Sequence, residues 1–356
     1  MYHKEQIRQA AAECGFELCG VAAADPSPDM SIYRQWATAG YAGEMRYLTD
    51  HRADVREDPR RLLASARSII CLGKVYNWPI PYSTELADYT RAWISRYAWG
   101  DDYHDIMRQG MTRLVESLGG GFDWKLCVDT APLLERSYAR MAGLGWIGRN
   151  TCLINQKLGS WVFLGEILTS LELEPDGPAP DRCGTCTRCI EACPTQAIVP
   201  RNDGFTIDSR LCISYLTIEL RGEIPEAQRE GNGAQVFGCD ICQDVCPWNR
   251  RAATTGDARF APRMEAPEFE RLAGLTEGEF RTMFRGTPVT RARYSGFLRN
   301  VAVAMGNSRN PELIVPLERL AESEDEVVAS HARWGIEKLA GTRARSKGHG
   351  LGREDV

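Results

Sequence analysis

An α+β multidomain protein is the fold class the sequence predicts, and three observations carry it. Strand-like and helix-like stretches are mixed through the first 175 residues. Eight cysteines crowd between positions 183 and 246. The last hundred residues hold no cysteine and run at helical spacing. A length of 356 residues suits two or three domains at roughly 100–200 residues each. With 43% hydrophobic and 26% charged residues the composition is that of a globular protein, which argues against a disordered or fibrous chain.

Lys4 to Cys14 reads as a helix, and Ala66 to Val75 as a buried strand, because β-branched and apolar residues run together there. Asp101 to Leu118 has helical spacing at Ile106, Leu114 and Leu118 and stops at three glycines. Lys125 to Val128 and Trp161 to Leu168 read as further strands. Between Glu174 and Asp181, three prolines and a glycine break any regular element, so a linker is expected. The boundaries drawn are therefore 1–175, 176–250 for the cysteine block, and 251–356 for a helical region. Val328, Ala332, Ile336 and Leu339 share one helix face, and Asn300 to Gly306 ends an earlier helix, a pairing that suggests a short α-solenoid.

No run of about 18 apolar residues exists; the best candidate, Trp161 to Leu171, is short and carries Glu166. The charged, amphipathic N-terminus lacks the apolar core of a secretory signal. A cytoplasmic protein with no membrane span is expected, and the lack of a long exposed apolar helix points to a monomer.

Cys183, Cys186, Cys189 and Cys193, followed by Pro194, spell C-x2-C-x2-C-x3-C-P, the bacterial ferredoxin run. Soft thiolates suit soft iron and hold a cluster through redox change. A second run, Cys239, Cys242 and Cys246 before Pro247, lacks its first cysteine, which Cys212 can supply. Ferredoxin logic places Cys183, Cys186, Cys189 and Cys246 on one 4Fe–4S cluster and Cys193, Cys212, Cys239 and Cys242 on a second. Zinc also uses C-x2-C pairs, but the two Cys-Pro endings have no role in a zinc site. Two adjacent clusters relay single electrons and select no substrate, so the chemistry is expected in residues 1–175.

In that region Gly143-Leu-Gly145-Trp-Ile-Gly148 matches a dinucleotide fingerprint by letter. It follows a helix-like stretch, Pro132 to Ala142, where the fingerprint needs a strand, so the glycines read as a helix ending. Asp129, just past a short strand, reads either as a helix N-cap or as a strand-end carboxylate facing a pocket. Asp102-Tyr103-His104 opens like a D-x-H-x-x-G corrinoid loop, but Met107 stands where glycine belongs, so His104 reads as structural. Arg52 and Arg56 suit either an anionic ligand or a solvated face.

From Arg281 to Asn310 there are six arginines and no acidic residue, in a chain of formal charge −5. Arg343, Arg345, Lys347 and Arg353 extend the basic character. Solvated helix faces normally mix signs, so a patch of one sign suits a phosphate backbone.

Taken together, Ile94–His104 (ISRYAWGDDYH), Val128–Thr151, Gly159–Ile167 (GSWVFLGEI), both cysteine runs and Arg285–Asn307 give a chain that resembles the epoxyqueuosine reductase family over nearly its whole length. The resemblance implies reduction of epoxyqueuosine to queuosine, the last step of queuosine synthesis, at the wobble position of tRNA. It implies an α/β cobalamin-binding domain similar to that of reductive dehalogenases, fed with electrons by the two 4Fe–4S clusters. Asp129 matches the family's proton donor. Arg52, Tyr97, Asn150 and Ser160 lie in segments that line the corrinoid and substrate pocket. A HEAT-like C-terminal region would meet tRNA, with Arg285, Arg291, Arg293 and Arg299 as its contacts, and an electron donor is a further expected partner. A dehalogenase-like enzyme on a small molecule would share the cysteines without needing the arginines. A mere electron carrier would need only the central 75 or so residues.

Overall fold

The computed structural model describes residues 3–86, 88 and 90–348, with side chains described through residue 341. Of the basic tail, Arg343, Arg345 and Lys347 lie beyond the described side chains, and Arg353 lies outside the described residues. Two compact units form. The first comprises 1–80, 100–210 and 241–261, and the second 81–99, 211–240 and 262–356. Neither is contiguous in sequence, so the units do not coincide with the segments 1–175, 176–250 and 251–356, and the cysteine block contributes to both.

The first unit is built on a four-stranded antiparallel sheet. Its strands are Leu18–Ala23 (β1), Ser68–Val75 (β2), Trp124–Cys127 (β3) and Val162–Thr169 (β4), in the order β1-β2-β4-β3. Lys4–Glu13 (α1) and Tyr103–Ser117 (α2) form the two helices read near the N-terminus and at 101–118. The sheet divides two sides by the alternation of β4. Gly165 faces α2, where an added Cβ would stand 2.9 Å from both Met107 Cε and Met111 Sδ, so the missing side chain lets the helix close on the strand. Leu164, Glu166 and Leu168 face the other side, where Leu164 and Leu168 pack with Tyr138, Ala139 and Ala142 of and just beyond Glu135–Met141 (α3).

Helix α3 ends where the glycine-rich stretch begins. Gly143 has φ +77°, its N–H donates to the Arg140 carbonyl, and the Leu144 N–H returns to Ala139. A short hairpin, Trp146–Ile147 with Leu153–Ile154, follows in place of the helix that a dinucleotide site requires.

The second unit is mainly helical. Ile213–Ile218 (α4), Arg293–Asn307 (α5), Ile314–Ala321 (α6) and Glu326–Gly348 (α7) are its principal helices. A Cβ on Gly306 would lie 2.7 Å from Gly335 Cα, so α5 and α7 approach at a point where both carry glycine. A small parallel pairing of Trp93–Ile94 with Gln235–Phe237 completes the unit. Among the described residues no helix is long and apolar enough to cross a membrane.

Candidate active site and cluster ligands

Asp129 lies two residues beyond the end of β3. It is no helix cap: α3 starts at Glu135 with Leu134 in the N-cap position. Its φ is +46°, a left-handed conformation that aspartate tolerates better than most residues. The turn leaves its side chain 38% exposed at the end of the sheet.

His104, in the first turn of α2, meets Asp129 there. Asp102 caps that helix by accepting the His104 backbone N–H at 3.0 Å, and the same carboxylate oxygen lies 2.8 Å from His104 Nδ1. His104 Nε2 lies 3.3 Å from Asp129 Oδ2. The ring also stacks on Tyr103, which stacks in turn on Phe163 of β4 at 4.3 Å and 5° between planes. Burial works against the charged ring, but the two flanking carboxylates prevail and lift the imidazole to about 9. The two neighbouring carboxyl groups thus favour the charged form of the His104 ring. The sequence reading as a purely structural histidine missed the contact with Asp129, which only the tertiary fold creates.

Two more carboxyl groups sit behind Asp129. Glu135 accepts the Asp129 backbone N–H; burial and then the Asp129 charge push its carboxyl up to about 7. Glu166, only 1% exposed on β4, has both carboxyl oxygens shielded and without a hydrogen-bond partner among the described residues. Burial followed by the nearby Glu135 raises it well above the carboxylate range. The signal for Glu166 was present in the sequence as one charge inside an otherwise apolar strand.

The four cysteines of the first set lie together. Cys183, Cys186, Cys189 and Cys246 all line one mostly apolar cavity of about 240 Å³, together with Ile154, Pro247 and Trp248. Cys246 and Cys183 pack with Trp146, Ile154 and Trp248. None of the thirteen cysteines is joined in a disulfide. Among the described residues no three His, Cys, Asp or Glu side chains converge as a single-ion site demands. Four thiols around an apolar cavity fit a cubane, which needs its ligands at its corners. Of the other set, Cys193 and Cys242 lie in the first unit and Cys212 and Cys239 in the second. Cys193 Sγ accepts the Ala197 N–H at 3.3 Å.

Arg52, Asn150 and Ser160, three of the four side chains expected around a corrinoid, each hold a polar partner within the protein. Arg52 is ion-paired with Asp50 at 2.6 Å. The Asn150 amide donates to the Cys242 carbonyl at 3.3 Å and accepts the Cys152 N–H at 3.2 Å. The Ser160 hydroxyl donates to Gln243 at 2.9 Å and accepts from Asn249 at 2.8 Å. Asn150 and Ser160 therefore brace the cysteine-bearing loop 242–249. Tyr97 belongs to the second unit, 6.0 Å from the Phe237 ring.

The arginine stretch is only partly open to solvent. Arg299 is fully buried on α5. Its guanidinium donates to the Leu216, Leu220 and Gly222 carbonyls at 2.6–3.0 Å and to Asn300 Oδ1. It secures the end of α4 and cannot meet a phosphate. Arg291 pairs with Glu219 at 2.8 Å, and Arg281 with Glu277 at 2.6 Å. Arg285 and Arg293 are exposed.

A family model for a 4Fe-4S double cluster binding domain matches residues 182–249, and one for epoxyqueuosine reductase QueG matches residues 56–130. The chain is 40% identical over 339 residues to an epoxyqueuosine reductase of Xanthomonas campestris pv. campestris, covering 93% of this chain and 94% of the relative. It superposes with a TM-score of 0.86 on a crystal structure of an epoxyqueuosine reductase with an epoxyqueuosine-modified tRNA-Tyr stem loop, at 26% identity, covering 99% of this chain and 94% of the other. For the Bacillus subtilis epoxyqueuosine reductase, solved with its catalytic aspartate loop swung out of the active site, the TM-score is 0.84 at 26% identity, over 98% and 95% of the two chains. The α+β multidomain reading is borne out, and the chain belongs to the epoxyqueuosine reductase family.

Proposed function

We propose that the protein reduces epoxyqueuosine to queuosine in tRNA, with Asp129 and His104 as the acid pair at the epoxide. The observation that carries the reading is the 3.3 Å approach of His104 to Asp129 at the sheet end, in a chain of this family. Removing an epoxide oxygen breaks two C–O bonds, forms one C=C bond, and consumes two electrons and two protons as the oxygen leaves as water. Asp129 is the proton donor to that oxygen. His104, charged and anchored by Asp102, returns a proton to Asp129 and fixes its carboxyl in place.

The 4Fe–4S clusters supply single electrons when bound. Cys183, Cys186, Cys189 and Cys246 hold one, and Cys193, Cys212, Cys239 and Cys242 hold the other. Cobalamin, implied by the resemblance, is the further proposed cofactor. tRNA is the proposed partner, with Arg285 and Arg293 as phosphate contacts; Arg291 is the weaker candidate because Glu219 already holds it. An electron-donating protein is the other proposed partner, and a cytoplasmic monomer the proposed state.

Nucleoside mass spectrometry of tRNA from a strain lacking the gene tests the proposal. Accumulated epoxyqueuosine without queuosine is expected, and normal queuosine would contradict it.

A further inference from the structure

Electron transfer falls off steeply with distance, so the surface over the first thiol set decides which carrier can deliver electrons there. Arg149, Arg182 and Arg188 line the same cavity as Cys183, Cys186, Cys189 and Cys246, all within the first unit. Arg149 is fixed in place: its guanidinium donates to the Gly184 carbonyl at 2.7 Å and lies 5.1 Å over the Phe205 ring. A groove of about 430 Å³ adjoins the cavity; Arg182 lines both, and Lys157 and Trp146 line the groove. The Trp146 ring meets the Trp248 ring edge-on at 4.9 Å, and Trp248 lines the cavity, so an aromatic pair runs from groove to thiols. Four cations line these two hollows against one carboxylate, Glu17. Asp181, the other acid close by in sequence, accepts the Cys183 N–H at 2.7 Å. The side chains of Lys157, Arg182 and Arg188 are exposed, and they form no ion pair or hydrogen bond among the described residues. Cations that served only to offset thiolate charge would be buried against the thiols. These three stand in solvent instead, in a chain of formal charge −5.

We propose that this face is the docking site of an acidic one-electron carrier protein. Arg182, Arg188 and Lys157 meet its carboxylates, and the Trp146–Trp248 pair lies between its redox group and the first thiol set. The inference deepens the functional reading above and rests on its cluster ligands, not on its substrate. One electron passes at each encounter: the carrier is oxidised by one electron, the cluster is reduced by one, and no bond forms or breaks. Two encounters supply the two electrons that the epoxide consumes. Exposed cations of one sign steer an oppositely charged partner and raise its association rate by about 10–10³-fold, an effect that salt screens.

Stopped-flow absorbance of the oxidised holoenzyme, without tRNA, tests the proposal with two reductants. One is reduced flavodoxin, an acidic carrier; the other is the methyl viologen radical, a small cation. With flavodoxin the wild-type rate constant should fall as salt is raised. Arg182→Glu with Arg188→Glu should lower it about tenfold or more and flatten the salt dependence. Lys157→Glu, which lies far in sequence from the four cysteines, should lower it several fold. The methyl viologen rate should not fall in either variant. Unchanged flavodoxin rates and salt slopes in cluster-loaded variants would overturn the proposal, as would an equal loss with both reductants. Lost tRNA binding with flavodoxin reduction intact would also overturn it and give the face to a phosphate backbone. Should the double variant lose iron, Lys157→Glu and Arg182→Gln decide the matter by the same readouts. A wild type that accepts electrons but leaves epoxyqueuosine intact fails the functional reading and leaves this inference standing. A wild type that binds no iron would overturn the ligand set and the docking site with it.

Discussion

His104 Nε2 stands 3.3 Å from Asp129 Oδ2, joining the first turn of one helix to the loop after a neighbouring strand. The two residues are 25 positions apart in the chain and meet only because α2 and the end of β3 converge at the same edge of the sheet. Asp129→Asn keeps the shape of the side chain but removes its proton. The variant should retain iron, sulfide and any corrinoid at wild-type levels while turnover falls by about 10²–10⁴-fold. Full activity would remove Asp129 from the mechanism.

The charge on His104 gives a pH signature. Its imidazolium is complete below the ordinary range near 6.5 and is lost as pH rises through about 9. Any stability or activity that depends on the charged ring is therefore lost on the alkaline side, with a midpoint near 9. His104→Gln should abolish that limb and lower turnover at pH 7.5, with substrate affinity preserved. A pH–rate profile with the same alkaline limb in the variant would assign the limb to another group.

The cysteine sets make a stoichiometric prediction. Cys246 lies in the same cavity as Cys183, Cys186 and Cys189 although it follows them by more than fifty residues. Cys246→Ser should cost about half of the bound iron, because one 4Fe–4S cluster of two loses a corner. Iron analysis showing no decrease would place Cys246 outside the ligand set.

How much of this was legible in the sequence follows from how local each signal is. The cysteine spacings announce their chemistry because three ligands of one cluster sit within seven residues. Asp129 was visible as a strand-end carboxylate, and the sheet strands showed as apolar runs. His104, Glu135 and Glu166 were not assigned because their relationship is made by strand register and by helix placement, neither of which a residue pattern states. The arginine stretch misled for the opposite reason. A window without acids along the chain is not free of them in space: Glu219 reaches Arg291, and Arg299 turns inward to backbone carbonyls.

That contrast separates the arginines experimentally. Arg285→Ala with Arg293→Ala should weaken tRNA binding. The slope of log affinity against log salt should fall by about 1 for each arginine that pairs with a phosphate, with folding unchanged. Arg299→Met should instead lower stability by about 3 kcal/mol, because it strands several buried carbonyls. Thermal unfolding and filter binding distinguish the two. Equal effects of both changes on binding alone would contradict the burial of Arg299.

Glu166 also carries a stability prediction. Its folded-state carboxyl is raised while the unfolded one titrates near 4.3, so the folded form holds the extra proton and stability falls as pH rises above that value. Glu166→Gln removes the penalty. Its stability should fall less steeply with pH than that of the wild type above the ordinary carboxylate range, read from denaturant unfolding at pH 5, 6 and 7. Parallel pH dependence of the two proteins would mean that Glu166 is ionised in the fold.

The decisive measurement is to incubate the reconstituted enzyme and a chemical reductant with tRNA carrying epoxyqueuosine, then analyse nucleosides by mass spectrometry. Conversion to queuosine is expected from the wild type and none from Asp129→Asn at equal cofactor content. Epoxyqueuosine left intact by a fully loaded wild-type enzyme would contradict the proposed reaction.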